Sequence, residues 1–156
     1  MKAMTTLTHK ERNEQRVFIQ FAERIGTRTD WLSIESRSVP EPDLLCTHRT
    51  NGAVAFELVS LTDPTIAELR SAGSEAFSCA FSTRDPSEGI IRKKLHKSYE
   101  ANTGQIELLA YTEGQLITPD DVIVPTILPW FDTIRHQFKR IWFMGEVEAR
   151  CLWNAS

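Results

Sequence analysis

The sequence predicts an α/β or α+β fold in which helices flank a mixed central sheet. Two observations lead to this class. An amphipathic helix near the start of the chain is followed by three short strand patterns, and a later helix separates the third strand from an apolar fourth one. The composition agrees, because 41% of the 156 residues are apolar and 25% are charged, as is typical of a globular domain. We therefore predict a single domain over residues 1–156.

The first half of the chain predicts a helix followed by an antiparallel meander. Apolar residues recur at helical spacing between Thr8 and Ile25, and Gly26 is a natural helix stop. Three strand patterns follow, and Asn51-Gly52 is a strong turn signal between the second and the third. The three predicted strands cover Trp31–Ser36, Asp43–Thr47 and Val54–Ser60.

The middle of the chain predicts helices that lead into a buried strand. Asp63-Pro64 and Asp85-Pro86 each place an N-cap residue before a proline, which is a typical helix start. The second of these signals opens a helix that runs to about Tyr99. Residues 105–112 then form an apolar strand, and the passage from the third strand through this helix suits a right-handed parallel crossover.

The C-terminal part predicts interrupted helix and a hairpin. Helix is expected within residues 117–137, but Pro125 and Pro129 exclude one continuous rod. Residues 138–144 and 147–153 alternate as strands around a turn at Gly145.

Charge and cysteine content exclude several classes of protein. The chain has 18 Lys and Arg against 21 Asp and Glu, so a net charge of −3 argues against a strongly basic nucleic-acid binder. No apolar run reaches the length of a membrane span, and the first residues lack the apolar core of a secretory signal. Cys46, Cys79 and Cys151 are odd in number and far apart, which argues against disulfides. We expect a reduced cytoplasmic protein without membrane association.

Two acidic residues lie inside otherwise apolar strands. Asp43 begins the segment Asp43–Cys46, and Glu57 interrupts an apolar run from Ala53 to Val59. A carboxylate in a half-buried strand is costly unless it is paired or binds a cation, and Mg²⁺ prefers oxygen ligands. Two carboxylates at adjacent strand ends would suit such a cation. The alternative is that Glu57 simply points to solvent from a one-sided strand.

The spacing of these acids resembles a known nuclease motif. Pro42-Asp43, followed fourteen residues later by Glu57-Leu58-Val59, is similar to the PD-(D/E)xK superfamily, and the order of elements over residues 9–112 is similar to its core. The resemblance implies a restriction-endonuclease-like core, with the C-terminal helix and β-hairpin as an extension. It also implies hydrolysis of DNA phosphodiester bonds with Mg²⁺ or Mn²⁺. Asp43 and Glu57 would hold the metal, with the Leu58 backbone carbonyl as a further ligand.

A third metal-binding acid is implied on the first helix. Glu14 resembles the extra acidic residue that some members of the superfamily contribute there, and it is the one charged residue in the apolar stripe of the helix. Glu11 and Glu23 compete for this role. Glu41 is a further acid near the motif, in a loop between two prolines.

The chain departs from the motif at the lysine. The position of that lysine falls on Val59, which can neither orient water nor stabilise charge on a phosphate. Some members of the superfamily carry the lysine on the following helix instead. On that helix, Lys94 is half turned toward the predicted core of the domain, and Lys97 lies at the border of the core-facing side. We therefore predict Lys94 as the displaced catalytic lysine, with Lys97 as the second choice. The alternative is that both are ordinary solvated side chains.

Basic residues also predict the partner. Arg92, Lys93, Lys94 and Lys97 crowd one helix and would contact DNA phosphates. A second basic cluster, consisting of Arg135, His136, Lys139 and Arg140, lies near tryptophans in a segment that equally fits a half-buried strand. The competing hypothesis is an inactive nuclease fold that binds nucleic acid or protein, since Val59 replaces the lysine. The apolar C-terminal hairpin would suit a homodimer contact or a lid on the core.

Overall fold

The computed structural model describes residues 6–61, 87–101, 103–112 and 119–155. Along these ranges a helix, three strands, a second helix, a fourth strand, two further helices and a hairpin follow one another. The helix predicted to begin at Asp63-Pro64 lies outside the described residues, and so does the start signal Asp85-Pro86. None of the helices in the described ranges is long and apolar enough to span a membrane.

The first two helices lie close to their predicted positions. Helix α1 spans His9–Arg24, and Thr8 caps its start in a reciprocal capping box with Glu11. The chain leaves α1 through Gly26, whose φ of +76° is a left-handed conformation that favours glycine. Helix α2 spans Ser87–His96, so it ends before the predicted limit at Tyr99.

The predicted interruption of the helix in this part of the chain is confirmed. Helix α3 spans Asp120–Ile127 and helix α4 spans Trp130–Thr133, with Pro129 at the N-cap of α4. Pro125 lies inside α3, where its missing N–H removes one helical hydrogen bond. The break therefore comes at the second proline rather than at the first.

Six strands form one mixed sheet in the order β1-β2-β3-β4-β5-β6. Strands β1 to β3 are an antiparallel meander, β3-β4 and β4-β5 are parallel, and β5-β6 is antiparallel. The meander and the parallel third and fourth strands are confirmed. The strands cover Trp31–Ser36, Leu44–His48, Gly52–Ser60, Ile106–Tyr111, Arg140–Met144 and Ala149–Asn154.

The C-terminal hairpin is part of the central sheet. Strand β5 pairs in parallel with β4, with Leu108 opposite Ile141, and β6 closes the edge. The prediction of a hairpin was correct, but the hairpin is not an extension of the sheet. Among the described strands, only β5 supplies the second parallel neighbour that the buried strand β4 needs, so the hairpin belongs to the central sheet.

Two apolar cores cover the two faces of the sheet. On one face, Val17, Phe18 and Phe21 of α1 pack against residues that include Phe56 and Leu58 of β3. On the other face, α2, α3 and α4 cover a core that includes Ala55 and Val59 of the same strand. Strand β3 is therefore buried on both sides, and any acid within it is enclosed by protein.

Candidate functional site

Glu57 points to the face of the sheet that α2, α3 and α4 cover, the face that also contains Ala55 and Val59. Side chains two residues apart share a face of a strand, and α2 lies over this one. Only 3% of Glu57 is exposed, so the alternative in which it points to bulk solvent is wrong.

Asp43 lies beside Glu57 because of the register of β2 and β3. Leu44, the first residue of β2, is paired with Phe56 of β3. Asp43, which precedes Leu44, therefore lies next to Glu57, which follows Phe56. The Asp43 N–H donates to Glu57 Oε1 at 3.1 Å, and the Leu58 N–H donates to Asp43 Oδ2 at 2.9 Å. These reciprocal bonds fix the two carboxylates relative to each other. Since the N–H and C=O of a strand residue point to the same side, the Leu58 carbonyl faces the side on which Asp43 lies.

Helix α1 brings Glu14 to the same place. Glu14 is 8% exposed, and burial together with the charge of Asp43 raises the pKa of Glu14 to about 7. The structure thus selects Glu14 over its competitors, since Glu11 belongs to the capping box and Glu23 is exposed. Glu41 lies apart, in an ion pair with Arg37 at 3.1 Å.

Lys10 bridges two of the three acids from the outer side. Its Nζ lies 3.2 Å from Glu14 Oε2 and 3.6 Å from Asp43 Oδ1, while its own side chain is 76% exposed. An exposed ion pair of this kind is weak, so it compensates little of the repulsion between the buried acids.

Lys94 reaches the carboxylate of Glu57 from α2. Its Nζ lies 2.5 Å from Glu57 Oε2, and its side chain is 23% exposed. Ile91 and Leu95 anchor the helix in the core, which turns Lys94 toward the sheet. Val59, at the position of the motif lysine, is packed in the same core. Lys94 therefore approaches β3 on the face where a lysine at position 59 would lie.

Burial raises the pKa of Glu57 above its ordinary value, and the neighbouring charge of Asp43 adds to this effect. The bond from Lys94 opposes both. The net rise means that one ammonium group does not fully compensate a carboxylate placed in the core beside a second one. Three carboxylates, those of Glu14, Asp43 and Glu57, thus lie beside two ammonium groups, those of Lys10 and Lys94.

Tyr99 closes the site after the end of α2. Its hydroxyl is buried and has no hydrogen-bond partner among the described residues, while burial and then the carboxylate of Glu57 raise the pKa of the phenol. Gln137 holds the backbone of Tyr99 on both sides, accepting from its N–H at 2.7 Å and donating to its C=O at 3.1 Å. The N–H of Glu100 donates to the Pro40 carbonyl at 3.0 Å, which ties this segment to the loop before Asp43.

The remaining basic residues of α2 lie away from the acids. Arg92 stacks over the Trp130 ring at 4.4 Å and lies 3.6 Å from Glu88, and Lys93 is exposed. Lys97 follows the helix end, is exposed, and places its Nζ 5.4 Å from the Tyr99 ring. The structure therefore brings Lys94, but not Lys97, to the carboxylates.

The donor set suits Mg²⁺ or Mn²⁺ in chemistry. Within the described ranges, no group of three or more His, Cys, Asp or Glu side chains is arranged to hold a metal ion. Mg²⁺, however, keeps several waters and is commonly held by only one or two carboxylates. Asp43 and Glu57 meet that requirement with oxygen ligands alone.

Three residues of this site were not assigned to it from the sequence. Lys10 could have been found, because it stands four residues before Glu14 on one helix face. Tyr99 and Gln137 could not, because their positions depend on how the chain turns after α2 and on a contact across 38 residues.

The comparisons with known proteins add no relative. No protein-family model, no curated protein and no solved structure matches this chain.

Proposed function

We propose that the chain is a divalent-cation-dependent nuclease that hydrolyses phosphodiester bonds of DNA. The single observation that supports this most is the convergence of Asp43, Glu57 and Lys94 from a loop, a buried strand and a helix. Two carboxylates and one ammonium group form the set of side chains that the PD-(D/E)xK resemblance implies. The lysine comes from α2 rather than from the strand.

In the proposed reaction, the oxygen of a water molecule attacks phosphorus and the bond to the leaving sugar oxygen breaks. Bound Mg²⁺ or Mn²⁺ would supply a Lewis acid and a lowered pKa of bound water. Asp43 and Glu57, with the Leu58 carbonyl, would hold that ion at the end of the β2-β3 pair. The reciprocal hydrogen bonds between these residues keep the oxygens in place without the ion.

Lys94 would act on the substrate after leaving Glu57. With Glu57 holding a cation, the Lys94 ammonium group would be free to orient the attacking water or to stabilise charge on the phosphate oxygens. Its half-buried position allows this, since 23% of the side chain already contacts solvent.

Lys93 and Lys97 would contribute weaker contacts with the DNA backbone. Both are exposed, Lys93 within α2 and Lys97 directly after its end. Such contacts are sensitive to salt and independent of sequence, and the net charge of −3 keeps the overall affinity modest.

A second candidate function is a non-catalytic binding module. Val59 in place of the motif lysine favours it, and so does the Glu57–Lys94 pair, which can be a purely structural buried ion pair. This hypothesis predicts folding and partner binding without any cleavage.

Cleavage of plasmid and single-stranded DNA with Mg²⁺ or Mn²⁺ tests the proposal. We compare the parent with Asp43→Asn, Glu57→Gln and the control Glu41→Gln, an acid from the same loop that pairs with Arg37 instead. We expect a loss of 100-fold or more for the first two variants and less than twofold for the control. Thermal melts accompany the assay, so that loss of fold is told apart from loss of activity.

Two results would overturn the nuclease proposal. One is a folded parent that cleaves neither substrate with either metal, which supports the binding module. The other is equal cleavage by the parent, Asp43→Asn and Glu57→Gln, which places the activity elsewhere.

A further inference from the structure

A separate cavity of about 110 Å³ lies on the α1 face of the sheet. It sits near the amino ends of β3 and β4, whereas Asp43 and Glu57 lie toward the carboxyl end of β3. Its walls are largely aromatic, formed by the rings of Phe21, Trp31, His48, Phe56 and Trp142. Aromatic walls in a small cavity favour a flat ring that can stack on them or meet them edge-on.

A buried carboxylate forms part of this cavity. Glu107 is 3% exposed and accepts hydrogen bonds from Trp142 Nε1 at 2.6 Å and from Gln105 Nε2 at 2.7 Å. An ionised carboxylate can accept about four hydrogen bonds, so acceptor capacity remains for a ligand amino or imino group.

Two further lining residues have polar atoms without partners. Trp31 Nε1 and Thr27 Oγ1 are buried and form no hydrogen bond with any described residue. A buried donor without a partner is unfavourable because it has lost its hydrogen bond to water. A ligand with an acceptor atom relieves that cost after a small shift of the wall.

A basic groove of about 440 Å³ adjoins the cavity. The two share Asn51, Gln105 and Arg140 in their linings, and Lys139 adds a second cation to the groove. These are two residues of the second basic cluster in the sequence. Among the described residues, neither Lys139 nor Arg140 takes part in an ion pair. The groove therefore offers two cations and several polar side chains to an anion.

We propose that the cavity and groove together bind a nucleotide with a single-ring base, the ring in the cavity and the phosphate in the groove. An engineered cavity of about 150 Å³ holds benzene, so a cavity of about 110 Å³ that opens into a groove suits one ring and not two. This proposal does not depend on hydrolysis at Asp43 and Glu57. The nucleotide can be free or part of a strand.

The indole N–H signals of the ¹⁵N-labelled full chain test the proposal directly. Trp31 and Trp142 line the cavity, while Trp130 and Trp153 lie elsewhere and serve as internal controls. Titration with cytidine 5′-monophosphate should move the first two signals and leave the other two in place. Tighter binding of a short oligodeoxycytidine assigns the site to a strand, and weaker binding assigns it to a free nucleotide.

Variants separate the two halves of the site. Lys139→Gln should weaken binding of cytidine monophosphate about tenfold while binding of cytidine stays unchanged, because Lys139 lines the groove and not the cavity. Trp31→Phe keeps an aromatic ring, although a smaller one, and removes the indole N–H donor, so it should weaken binding of both ligands about threefold to tenfold. Thr27→Val is the substitute if Trp31→Phe does not fold. Glu57→Gln should bind cytidine monophosphate as the parent does, which keeps this test separate from the nuclease proposal.

Several results would overturn the proposal. They are the absence of any indole shift, equal shifts of the control tryptophans, equal affinity for adenosine monophosphate, and binding of inorganic phosphate as tight as that of the nucleotide.

Discussion

Substitution of Glu14 by Gln should stabilise the protein at alkaline pH and not at acid pH. The pKa of Glu14 is raised from 4.5 to about 7, so the folded state holds a proton that the unfolded state releases between these values. The stability of the parent therefore falls as the pH rises through this interval. The raised pKa, which already includes the opposing effect of Lys10, corresponds to about 3 kcal/mol against the ionised form, and solvent screening on the exposed Lys10 side reduces this to about 2 kcal/mol.

Glu14→Gln should thus gain about 2 kcal/mol at pH 8.5, or about 5 °C in Tm for a chain of this size, and almost nothing at pH 4.5. Thermal unfolding at both pH values measures this, with Glu23→Gln as the control from an exposed position of the same helix. The reasoning is refuted if Glu14→Gln is no more stable than the parent at pH 8.5, or if its stability depends on pH as steeply as that of the parent.

Three further variants have defined outcomes. Lys94→Met should reduce cleavage by 100-fold or more, whereas Lys93→Met, at an exposed neighbouring position, should change it less than threefold. Equal effects of the two variants in the cleavage assay would contradict a role for the lysine that faces Glu57. Gly145→Ala should destabilise the fold by about 1–3 kcal/mol in urea unfolding, because the added Cβ would collide with the Asp120 carboxylate; an unchanged midpoint would contradict the close approach. Tyr99→Phe should leave stability unchanged or raise it by about 1 kcal/mol, since the hydroxyl it removes is buried and has no hydrogen-bond partner among the described residues; a loss above about 1 kcal/mol would contradict this reasoning.

Much of the fold could be predicted because its signals are local. Thr8 and Gly26 bound the first helix through their own backbone preferences, and Asn51-Gly52 sets the turn between β2 and β3. That turn also fixes the register, which carries Asp43 to the end of the pair beside Glu57. The pairing of the two acids is thus a consequence of local sequence.

The remaining features depend on tertiary contacts that no local pattern records. β5 lies beside β4 because the edge of β4 that does not pair with β3 must be covered by another strand. The burial of Glu57 depends on the packing of Ile91 and Leu95 over the sheet. Helical periodicity could orient Lys94 toward the sheet, but the partner it meets there follows only from the assembled fold.

The proposed site is also the place where acidic residues occupy positions that favour apolar or neutral side chains. Glu14 and Glu57 are acids at positions where burial and the neighbouring charge of Asp43 both raise the pKa. Such departures are expected at functional sites, where stability is given up for chemistry.

Calorimetric titration of Mn²⁺ into the full chain tests the central claim most directly. The account predicts that the parent and Glu41→Gln bind Mn²⁺ with the same affinity, and that Asp43→Ala and Glu57→Ala each weaken binding by tenfold or more while remaining folded. If the two alanine variants bind Mn²⁺ as tightly as the parent, Asp43 and Glu57 do not form a metal site, and the proposed function is wrong.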